Sequence, residues 1–260
     1  MNQYESPFRL DGRTVLISGA GGGIGRTLVE IFRAAGAEIV GVDREASLLD
    51  GLPLARTIVF DQSDVKATRA AIAADIADHG AVDIVIANAG FTRAEHFDHL
   101  DDDVWASEMA INLNGAYALL DPLVAAMAAR GSGNVVLISS VNALQHFGNP
   151  AYSAAKAGLI AYAKAIAVER GGQGVRANVV APGSVRTPAW DHRLAADPHL
   201  LDKVLPHYPL GRMVSPEEVA HAALFLASDA ASGITGVTIP VDAGLTAGNL
   251  RFVNEVLRAK

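Results

Sequence analysis

The sequence predicts an α/β protein in which one doubly wound, parallel β-sheet carries helices on both faces. Short β-branched segments alternate along the chain with longer segments whose apolar residues have helical spacing, as expected for successive parallel βαβ units. The central strand segments VDIVIA and NVVLIS are apolar throughout rather than alternating, which is typical of a sheet covered on both faces. No linker, low-complexity stretch or evident internal repeat divides the chain, so we expect a single domain over residues 1–260.

The chain begins with a strand, a glycine-rich loop, a helix and a second strand. Arg13–Ser18 and Ala37–Asp43 are the strand-like runs, and Ile24–Ala35 between them carries apolar residues at helical spacing. The same rhythm predicts further strands at Thr57–Phe60, Val82–Ala87, Asn134–Ser139, Val175–Val180 and Val237–Val241. Further helices are predicted at Asp64–Asp78, Asp101–Ala129, Pro150–Glu169 and Pro216–Ala227. We expect the helix Asp101–Ala129 to bend near Pro122, because a proline removes a backbone hydrogen bond.

Composition limits the class of protein. Half of the 260 residues are hydrophobic and 19% are charged, so the chain can bury a large core. The net charge of −7 argues against a nucleic-acid partner, because such a surface needs clustered lysine and arginine. Without cysteine there is no disulfide framework and no thiolate metal ligand. The first residues lack the apolar core of a signal peptide and no stretch is apolar enough to span a membrane, so we expect a cytoplasmic protein with no membrane partner.

The loop after the first strand has the composition of a phosphate-binding turn. It reads SGAGGGIG and contains Gly19, Gly23 and Gly25, with Ile24 where a strict GxGxxG pattern has its third glycine. Glycine permits positive φ and close approach of the backbone to a pyrophosphate at the N-terminus of the next helix. Asp43 ends the second strand, where a carboxylate is placed to bind the adenosine ribose hydroxyls. These features predict a Rossmann-type dinucleotide site, and an ordinary tight turn with an exposed aspartate is the alternative.

The least regular segment is Pro182–Pro209, which carries five prolines. Because a long irregular insertion near the end of an α/β chain is often a substrate lid, we predict a lid over about residues 182–215. An ordinary surface excursion is the alternative. His192, His199 and His207 could form a metal site, but their spacing does not match compact ligand motifs. Scattered surface histidines are therefore favoured, and no metal is expected.

Several polar residues are predicted at the same edge of the sheet. In the segment YSAAK, Tyr152 and Lys156 are four residues apart, so their side chains lie on one face of the predicted helix. The ISS serines and the segment NAG at Asn88–Gly90 each end a strand, and the carboxyl ends of strands line the ligand crevice of an open α/β sheet. Asn112 lies within the long helix, in the segment INLNG.

Taken in this order, the motifs resemble those of the short-chain dehydrogenase/reductase family in its classical form. The resemblance runs from Arg13 to about Gly248, which is nearly the whole chain. The matching segments are SGAGGGIG, VD at Val42–Asp43, ANAG at Ala87–Gly90, INLNG at Ile111–Gly115, ISS followed by YSAAK, RANVVAPGSVRTP at Arg176–Pro188 and PVDAG at Pro240–Gly244. Ser18, Ala87 and Ala243 replace a common threonine, asparagine and glycine, but all three are small and leave the expected roles intact.

The resemblance implies a catalytic tetrad of Asn112, Ser140, Tyr152 and Lys156. Tyr152 is the implied acid/base, and Lys156 would lower its pKa from the reference value of ~10 and hold the nicotinamide ribose. Ser140 would hydrogen-bond the substrate oxygen, and Asn112 would anchor a water that relays protons. Ser139 is the alternative serine, because it leaves twelve residues before Tyr152, the commoner interval, whereas Ser140 leaves eleven. Ser140 is preferred as the second serine of ISS at the strand end.

The resemblance also implies which residues bind the cofactor, NAD, and the substrate. The implied cofactor-binding residues are Gly19, Gly23, Ile24, Gly25, Asp43, Asp61, Gln62, Asn88, Gly90, Tyr152, Lys156, Pro182, Gly183, Val185 and Thr187. Asp61 has a second interpretation as a helix N-cap, although Ser63 suits that role better. The implied substrate-binding residues are Ser140, Asn142, Phe147, Tyr152 and Trp190, with Phe91, Arg93, Gln145, His146 and His192 as further pocket residues.

These inferences predict an NAD-dependent oxidoreductase that interconverts a small secondary alcohol and a ketone. A 3-oxoacyl-thioester reductase and a non-catalytic NAD-binding sensor on the same fold are the alternatives, and the intact tetrad argues against the sensor. The pocket residues suit a polyol, a sugar or a small hydroxy-ketone, and equally an apolar cyclic alcohol.

Two further properties follow from single segments. Asp43 predicts a preference for NAD over NADP, because its carboxylate would face the 2′-phosphate and the glycine loop offers no basic residue to compensate. Arg44 is the one nearby complication. The helix segment Ala151–Glu169 is small or apolar almost all round, which predicts burial against another subunit. Together with the family resemblance, this indicates a homotetramer.

Overall fold

One seven-stranded, fully parallel sheet organises the fold. The computed structural model describes residues 6–93, 96–188, 190, 194–195 and 197–258. The strands are β1 (Thr14–Ser18), β2 (Glu38–Asp43), β3 (Arg56–Val59), β4 (Ile84–Ala87), β5 (Gly133–Ile138), β6 (Val175–Pro182) and β7 (Thr238–Val241). Their order across the sheet is β3-β2-β1-β4-β5-β6-β7, with parallel pairing throughout. This arrangement confirms the predicted doubly wound parallel sheet in a single domain.

Helices cover both faces of the sheet. The helices in the described residues are α1 (Gly23–Ala34), α2 (Val65–His79), α3 (Asp102–Met109), α4 (Gly115–Arg130), α5 (Pro150–Arg170), α6 (Leu200–Val204), α7 (Pro216–Ala227) and α8 (Leu250–Phe252). α1 and α7 pack together on one face, while α2, α4 and α5 cover the other. None of these described helices is long and apolar enough to cross a bilayer.

Alternate side chains of each strand enter two separate cores, which explains why the strand sequences are apolar throughout. Val15 and Ile17 of β1 belong to the core that contains Phe32 of α1. Leu16, between them, belongs to the opposite core together with Leu120 of α4. All five side chains are fully buried. Because both faces of the strands are covered, polar side chains with a functional role are confined largely to the strand ends.

The strand order reverses beside β1, because β2 lies on one side of it and β4 on the other. In an open α/β sheet this reversal opens a crevice at the carboxyl ends of the strands. Ser18, Ala87 and Ile138 end β1, β4 and β5, so the residues that follow them reach this crevice. The predicted site residues therefore share one edge of the sheet.

The region predicted as one helix over Asp101–Ala129 is more complex than expected. The chain forms α3, then a π-helical turn at Ala110–Asn114, and then α4. Pro122 lies inside α4, so the irregularity is not at the proline but about three turns earlier, around Asn112. A π-turn widens the spacing of the backbone hydrogen bonds and often marks a functional site.

Ala243 occupies a position in the turn after β7 that favours glycine. Its φ is 52°, in the left-handed region, where an L-residue with a side chain is strained by roughly 1–2 kcal/mol. Allowing for the backbone entropy that glycine loses on folding, we expect Ala243→Gly to raise the free energy of unfolding by about 0.5–1 kcal/mol. Denaturant titration measures this change.

The matched control for Ala243→Gly is Ala74→Gly, at an exposed position inside α2. This control should lower the free energy of unfolding by about 1 kcal/mol, because glycine is a poor helix former. Destabilisation by Ala243→Gly would contradict the assigned backbone strain.

Candidate active site

The glycine-rich loop joins β1 to α1 with its backbone packed against neighbouring turns. Gly19 has a φ of 65°, and a Cβ atom there would lie 2.9 Å from the Cα atom of Ala89. A Cβ atom on Gly25 would collide with the carbonyl oxygen of Gly19. A Cβ atom on Gly23 would lie 2.9 Å from the side chain of Thr187. Side chains therefore do not fit at the three predicted glycines. α1 begins without a side-chain cap, so its first N–H groups suit an anionic ligand.

Two polar side chains hold this loop against the end of β4. The Ser18 hydroxyl accepts hydrogen bonds from the N–H groups of Asn88 and Ala89, each at 3.1 Å. The Asn88 amide donates to the carbonyl oxygens of Ser18 at 3.0 Å and Gly19 at 3.2 Å. Asn88 thus lies where it was predicted, and its side-chain N–H groups support the glycine loop.

Asp43 lies at the end of β2, beside the glycine loop. Its Oδ2 atom accepts a hydrogen bond from the Gly21 N–H at 2.9 Å, and its Oδ1 atom accepts one from the Arg44 N–H at 2.8 Å. A carboxylate has about four lone-pair sites, so capacity for further donors remains. The Arg44 guanidinium forms an exposed ion pair with Glu45, with Nε and Oε1 3.3 Å apart.

Arg26 is a basic residue beside the glycine loop that the sequence motifs do not single out. It lies in α1, and its guanidinium donates to the carbonyl oxygens of Gly21 at 3.0 Å and Leu48 at 2.7 Å. Its spacing of five residues from Gly21 could have signalled this contact, because the helix turns it back toward the loop. Arg26 therefore fastens the loop to the segment after β2.

Asp61 and Gln62 follow β3. Asp61 is exposed, and hydrogen bonds from the Ser63 hydroxyl (2.7 Å) and N–H (2.8 Å) hold its pKa below the usual value. Gln62 is buried and donates to the carbonyl oxygen of Ile111 at 3.1 Å, while its Oε1 atom has no hydrogen-bond partner among the described residues. This acceptor suits an N–H donor such as an adenine amino group. The N-cap of α2 is Asp64, so both N-cap interpretations, Asp61 and Ser63, are wrong.

Tyr152 and Lys156 lie one turn apart in α5, with the Lys156 Nζ atom 5.6 Å from the centre of the Tyr152 ring. Lys156 is 2% exposed, and its ammonium donates to the carbonyl oxygen of Ile138 at the end of β5, at 3.0 Å. Burial lowers the pKa of Lys156 to about 8 and raises the pKa of Tyr152 to about 12. The pKa of Tyr152 is therefore raised rather than lowered as expected, because burial outweighs the hydrogen bond with Ser140, and Tyr152 keeps its proton at neutral pH.

The two serines after β5 have different surroundings. The Ser139 hydroxyl is buried and donates to the carbonyl oxygen of Lys156 at 2.8 Å. The Ser140 hydroxyl accepts a hydrogen bond from the Asn142 N–H at 3.1 Å. Ser140 also makes a side-chain hydrogen bond with Tyr152, which opposes the rise in the tyrosine pKa. Ser140 is thus the serine in contact with Tyr152, while Ser139 attaches α5 to the end of β5.

Asn112 is fully buried in the π-turn at the base of the site. Its Oδ1 atom accepts from the Phe91 N–H at 3.1 Å, and its Nδ2 atom donates to the Phe91 carbonyl oxygen at 2.7 Å and to Glu108 Oε2 at 3.0 Å. A Cβ atom on Gly90 would lie 2.9 Å from both Asn112 Oδ1 and Lys156 Nζ, so these groups converge on that backbone. The motifs do not single out Glu108, and its place one helical turn before Asn112 is the signal that could have found it.

The remaining predicted cofactor residues lie after β6. Pro182 ends that strand, and a Cβ atom on Gly183 would lie 3.1 Å from the Cα atom of Asp242. Val185 is buried and forms an isolated β-bridge. Thr187 lies against the start of α1, as the contact with the glycine loop indicates. This segment therefore extends from the sheet edge across to the glycine loop.

The loop between β5 and α5 is held together by its own side chains. The Asn142 amide donates to the carbonyl oxygen of Gly148 at 2.9 Å and to the Ser153 hydroxyl at 3.3 Å. The Asn142 Oδ1 atom accepts from the Ser140 hydroxyl at 3.3 Å. The polar atoms of Asn142, a predicted substrate residue, are thus engaged within the loop.

His207, in the region predicted as a lid, and the α8 region lie beside this loop. Phe147 is exposed and, with His207 and residues of the α8 region, lines a cavity of about 560 Å³. The backbone N–H of Trp190 donates to the backbone carbonyl oxygen of Thr187 at 2.8 Å. His192 lies outside the described residues. In the part of the chain that is described, no three His, Cys, Asp or Glu side chains are grouped to hold a metal ion.

The residues at this edge fit a dinucleotide. The uncapped start of α1, with Ile24 in its first turn, suits a pyrophosphate. The carboxylate of Asp43 and the unpartnered Gln62 Oε1 atom suit the hydroxyl and amino donors of an adenosine. Tyr152 and Lys156 lie at the opposite side of the reversal point, where the reactive end of such a ligand would lie.

Residues 19–246 match the model of a protein family described as enoyl-(acyl carrier protein) reductase. Galactitol 2-dehydrogenase (L-tagatose-forming) of Cereibacter sphaeroides is 38% identical to the chain, over 94% of this chain and 98% of that protein. Acetoacetyl-CoA reductase of Rhizobium meliloti is 36% identical, over 89% of this chain and 98% of that protein.

Two crystal structures have closely similar folds. An oxidoreductase of the short-chain dehydrogenase/reductase family from Burkholderia thailandensis superposes with a TM-score of 0.88 at 41% identity, covering 95% of this chain and 98% of that one. A gluconate 5-dehydrogenase from Burkholderia cenocepacia, in complex with NADP and tartrate, superposes with a TM-score of 0.86 at 34% identity, covering 93% of this chain and 98% of that one.

Proposed function

Since the chain belongs to the short-chain dehydrogenase/reductase family, we propose that it is an NAD-dependent enzyme that interconverts a secondary alcohol and a ketone. The observation that carries this proposal is the convergence of Ser140, Tyr152 and Lys156 at the carboxyl edge of the sheet. These are a hydroxyl, a phenol and an ammonium, the groups needed to orient a substrate oxygen, exchange its proton and stabilise the resulting charge.

In this proposal Tyr152 exchanges a proton with the substrate oxygen. With a pKa of about 12, its phenol is protonated at neutral pH and can donate a proton to a ketone oxygen during reduction. In the opposite direction Tyr152 must first lose its proton, so alcohol oxidation should gain rate as the pH rises and ketone reduction should lose rate. Ser140 hydrogen-bonds the same substrate oxygen and holds it beside the phenol.

Lys156 supports the tyrosine by charge. Because burial lowers its pKa only to about 8, the ammonium is still largely present at pH 7 and stabilises the tyrosinate form of Tyr152. Its hydrogen bond to the Ile138 carbonyl oxygen keeps the ammonium at the strand end. Asn112, which converges with Lys156 on Gly90, would anchor the water that passes protons between the ammonium and solvent.

We propose that the cofactor is bound by the residues that the sequence predicts. When bound, the nicotinamide would accept or supply a hydride and bring positive charge close to Tyr152. The glycine loop and Thr187 would hold the pyrophosphate, and Asp43 would bind the adenosine ribose. Asp61 and Gln62 would contact the adenine. Asn88 acts by shaping the loop, because its amide is bonded to the loop backbone.

The substrate class we favour is a small polyol or sugar derivative. Identity of 38% to a galactitol 2-dehydrogenase and the fold of a gluconate 5-dehydrogenase support this choice. Phe147 and Trp190 would contact the substrate, with Asn142 shaping the loop around it. Reduction of 3-oxoacyl thioesters is the second candidate, supported by the 36% identity to an acetoacetyl-CoA reductase. A cytoplasmic location stays a prediction, which cell fractionation tests.

We expect Tyr152→Phe to reduce kcat by at least the ~10²–10⁴-fold that general acid/base catalysis contributes, while cofactor affinity stays nearly unchanged. Turnover is followed by the absorbance of the reduced nicotinamide, and cofactor binding by calorimetry. Near-normal turnover in this variant would contradict the assigned mechanism.

The two serines provide an internal control for this experiment. Ser140→Ala should lower kcat strongly, because the substrate oxygen loses its hydrogen-bond donor. Ser139→Ala removes a bond to the α5 backbone, so it should mainly lower the free energy of unfolding, by about 1 kcal/mol. The reverse pattern of activity loss would assign the catalytic role to Ser139.

Our proposal of NAD over NADP depends on the surroundings of Asp43. A 2′-phosphate would face this carboxylate, and the repulsion needs a free cation nearby to offset it. Arg26 is bonded to two carbonyl oxygens of the protein, and Arg44 is paired with Glu45. Both observations support NAD, whereas the similar gluconate 5-dehydrogenase was crystallised with NADP. The two basic side chains would have to leave their partners to serve a phosphate.

We expect wild type to prefer NAD by about a hundredfold in kcat/KM, which is ~2.7 kcal/mol. Asp43→Ala should lose much of this preference, through weaker use of NAD and some gain with NADP. Kinetics with both cofactors at fixed ionic strength measure the ratio. Asp50→Ala, which removes an exposed carboxylate shortly after β2, is the control and should leave the ratio unchanged. Equal use of both cofactors by wild type, or an unchanged ratio in Asp43→Ala, would exclude Asp43 as the selector.

A homotetramer is the proposed assembly, and α5 supports it. One face of α5 packs on the sheet core, while Ala154, Ala157, Ala161 and Val168 are exposed along the other. Val168 is 82% exposed, which is unusual for a β-branched apolar side chain. A stripe of small and apolar residues permits close approach of a second helix.

Light scattering should give four times the chain mass of 27.0 kDa at micromolar concentration. Ala161→Glu should lower this mass, because it places a charge in the proposed helix contact. Ala74→Glu, on the exposed side of α2, is the matched control and should leave the mass unchanged. A monomeric mass for wild type would contradict the assembly.

A further inference from the structure

Glu108 is a buried carboxylate beside the catalytic residues to which the proposed reaction gives no role. It lies near the end of α3 and is 2% exposed. Its Oε1 atom accepts a hydrogen bond from the backbone N–H of Arg93 at 2.6 Å, and its Oε2 atom accepts one from Asn112 Nδ2 at 3.0 Å. Within the described residues no ion pair is formed by Glu108 at 4.0 Å or less. Burying a carboxylate without an ion pair costs free energy, which its hydrogen bonds must offset.

The two hydrogen bonds of Glu108 require a carboxylate and no other side chain. Both of its oxygen atoms face N–H donors, so the ionised form satisfies both contacts. A glutamine has one acceptor and one donor, and its NH₂ group would meet either the Arg93 N–H or the Asn112 amide. An aspartate keeps both acceptors but is one methylene shorter.

Glu108 joins the two segments that form the base of the site. Arg93 lies in the segment after β4, which begins with Asn88 and Gly90, and Asn112 lies in the π-turn. Asn112 also binds both polar groups of the Phe91 backbone, so its amide is held from two sides. Glu108 supports the same orientation of the amide as Phe91 does, because its carboxylate accepts from Nδ2.

We propose that Glu108 is a positioning residue of the active site: its carboxylate holds the Asn112 amide and the segment after β4 together, and its negative charge supports the ammonium of Lys156. The proposal rests on the proposed function for its catalytic consequence and on the observed hydrogen bonds for the positioning. Its charge acts on Lys156 from the neighbouring helix, while Tyr152 faces Lys156 from the same helix.

The charge of Glu108 opposes the effect of burial on Lys156. Burial lowers the pKa of Lys156, and the carboxylate raises it, as it also raises the pKa of Tyr152. Glu108 thus keeps the ammonium protonated and the phenol protonated at neutral pH. Removing the charge should shift both pKa values downward.

The first test needs no substrate and no cofactor. The chain has five lysines, so ε-carbon NMR of labelled lysine resolves Lys156, which Lys156→Arg assigns by loss of its signal. We expect the midpoint of Lys156 in Glu108→Gln to fall by about half a pH unit or more below that of wild type. Asp103→Asn removes an exposed charge from the same helix and should leave the midpoint unchanged. An unchanged midpoint in Glu108→Gln would overturn the electrostatic part of the proposal.

Glu108→Asp tests whether Glu108 positions Asn112 and the segment after β4. It also keeps the proposal testable if Glu108→Gln does not fold. It keeps the charge, so the Lys156 midpoint should stay close to wild type, but it cannot reach both donors, so kcat should fall by about tenfold. A wild-type kcat in Glu108→Asp would overturn the positioning role. If wild type itself oxidises no alcohol, the proposed function fails, whereas the lysine titration still reports whether Glu108 acts on Lys156.

Discussion

Helix α5 is attached to the end of strand β5 by two reciprocal hydrogen bonds, and the candidate site depends on this attachment. The Ser139 hydroxyl donates to the backbone carbonyl oxygen of Lys156, and the Lys156 ammonium donates to the backbone carbonyl oxygen of Ile138. Neighbouring residues of the strand thus hold one residue of the helix by its backbone and by its side chain. Because both bonds are buried, they are shielded from competition with water. They fix Tyr152 one turn earlier, beside Ser140.

The parallel sheet supplies the rest of the geometry. Every strand ends at the same edge, so residues far apart in the chain meet there: the glycine loop after β1, Asn88 after β4, and Ser140 after β5. Side-chain to backbone bonds then connect these ends, as Ser18 and Asn88 do between β1 and β4. A site of this kind is rigid, since each polar group is placed by secondary structure as well as by its own partner.

Much of the fold and most of the positions at the edge could be predicted from the sequence. An apolar strand segment such as VDIVIA requires cover on both faces, and its residues Val85 and Ile86 confirm this by entering opposite cores. The spacing of Tyr152 and Lys156 was sufficient to place them on one helix face. These features depend on local periodicity, which a single sequence contains.

Other features depend on long-range contacts that no local pattern encodes. The π-turn around Asn112 replaces the bend expected at Pro122, and its hydrogen bonds reach back to Phe91. The carboxylate of Glu108 and the guanidinium of Arg26 have acceptor and donor partners that are set by tertiary packing. The pKa of Tyr152 is raised because burial outweighs the opposing hydrogen bond with Ser140, and only the structure gives the degree of burial.

We propose that this chain moves a hydride from a secondary alcohol to NAD, or from reduced NAD to a ketone, while the polar groups at the sheet edge transfer the proton. The most direct test is to incubate wild type and NAD with a panel of secondary alcohols, including polyols and sugar acids, and to follow the absorbance of the reduced nicotinamide. Ketones and 3-oxoacyl thioesters with the reduced cofactor form the second half of the panel. Turnover of a polyol-type alcohol is the predicted result. Tight NAD binding with no turnover anywhere in the panel would contradict the proposed activity and favour a sensor.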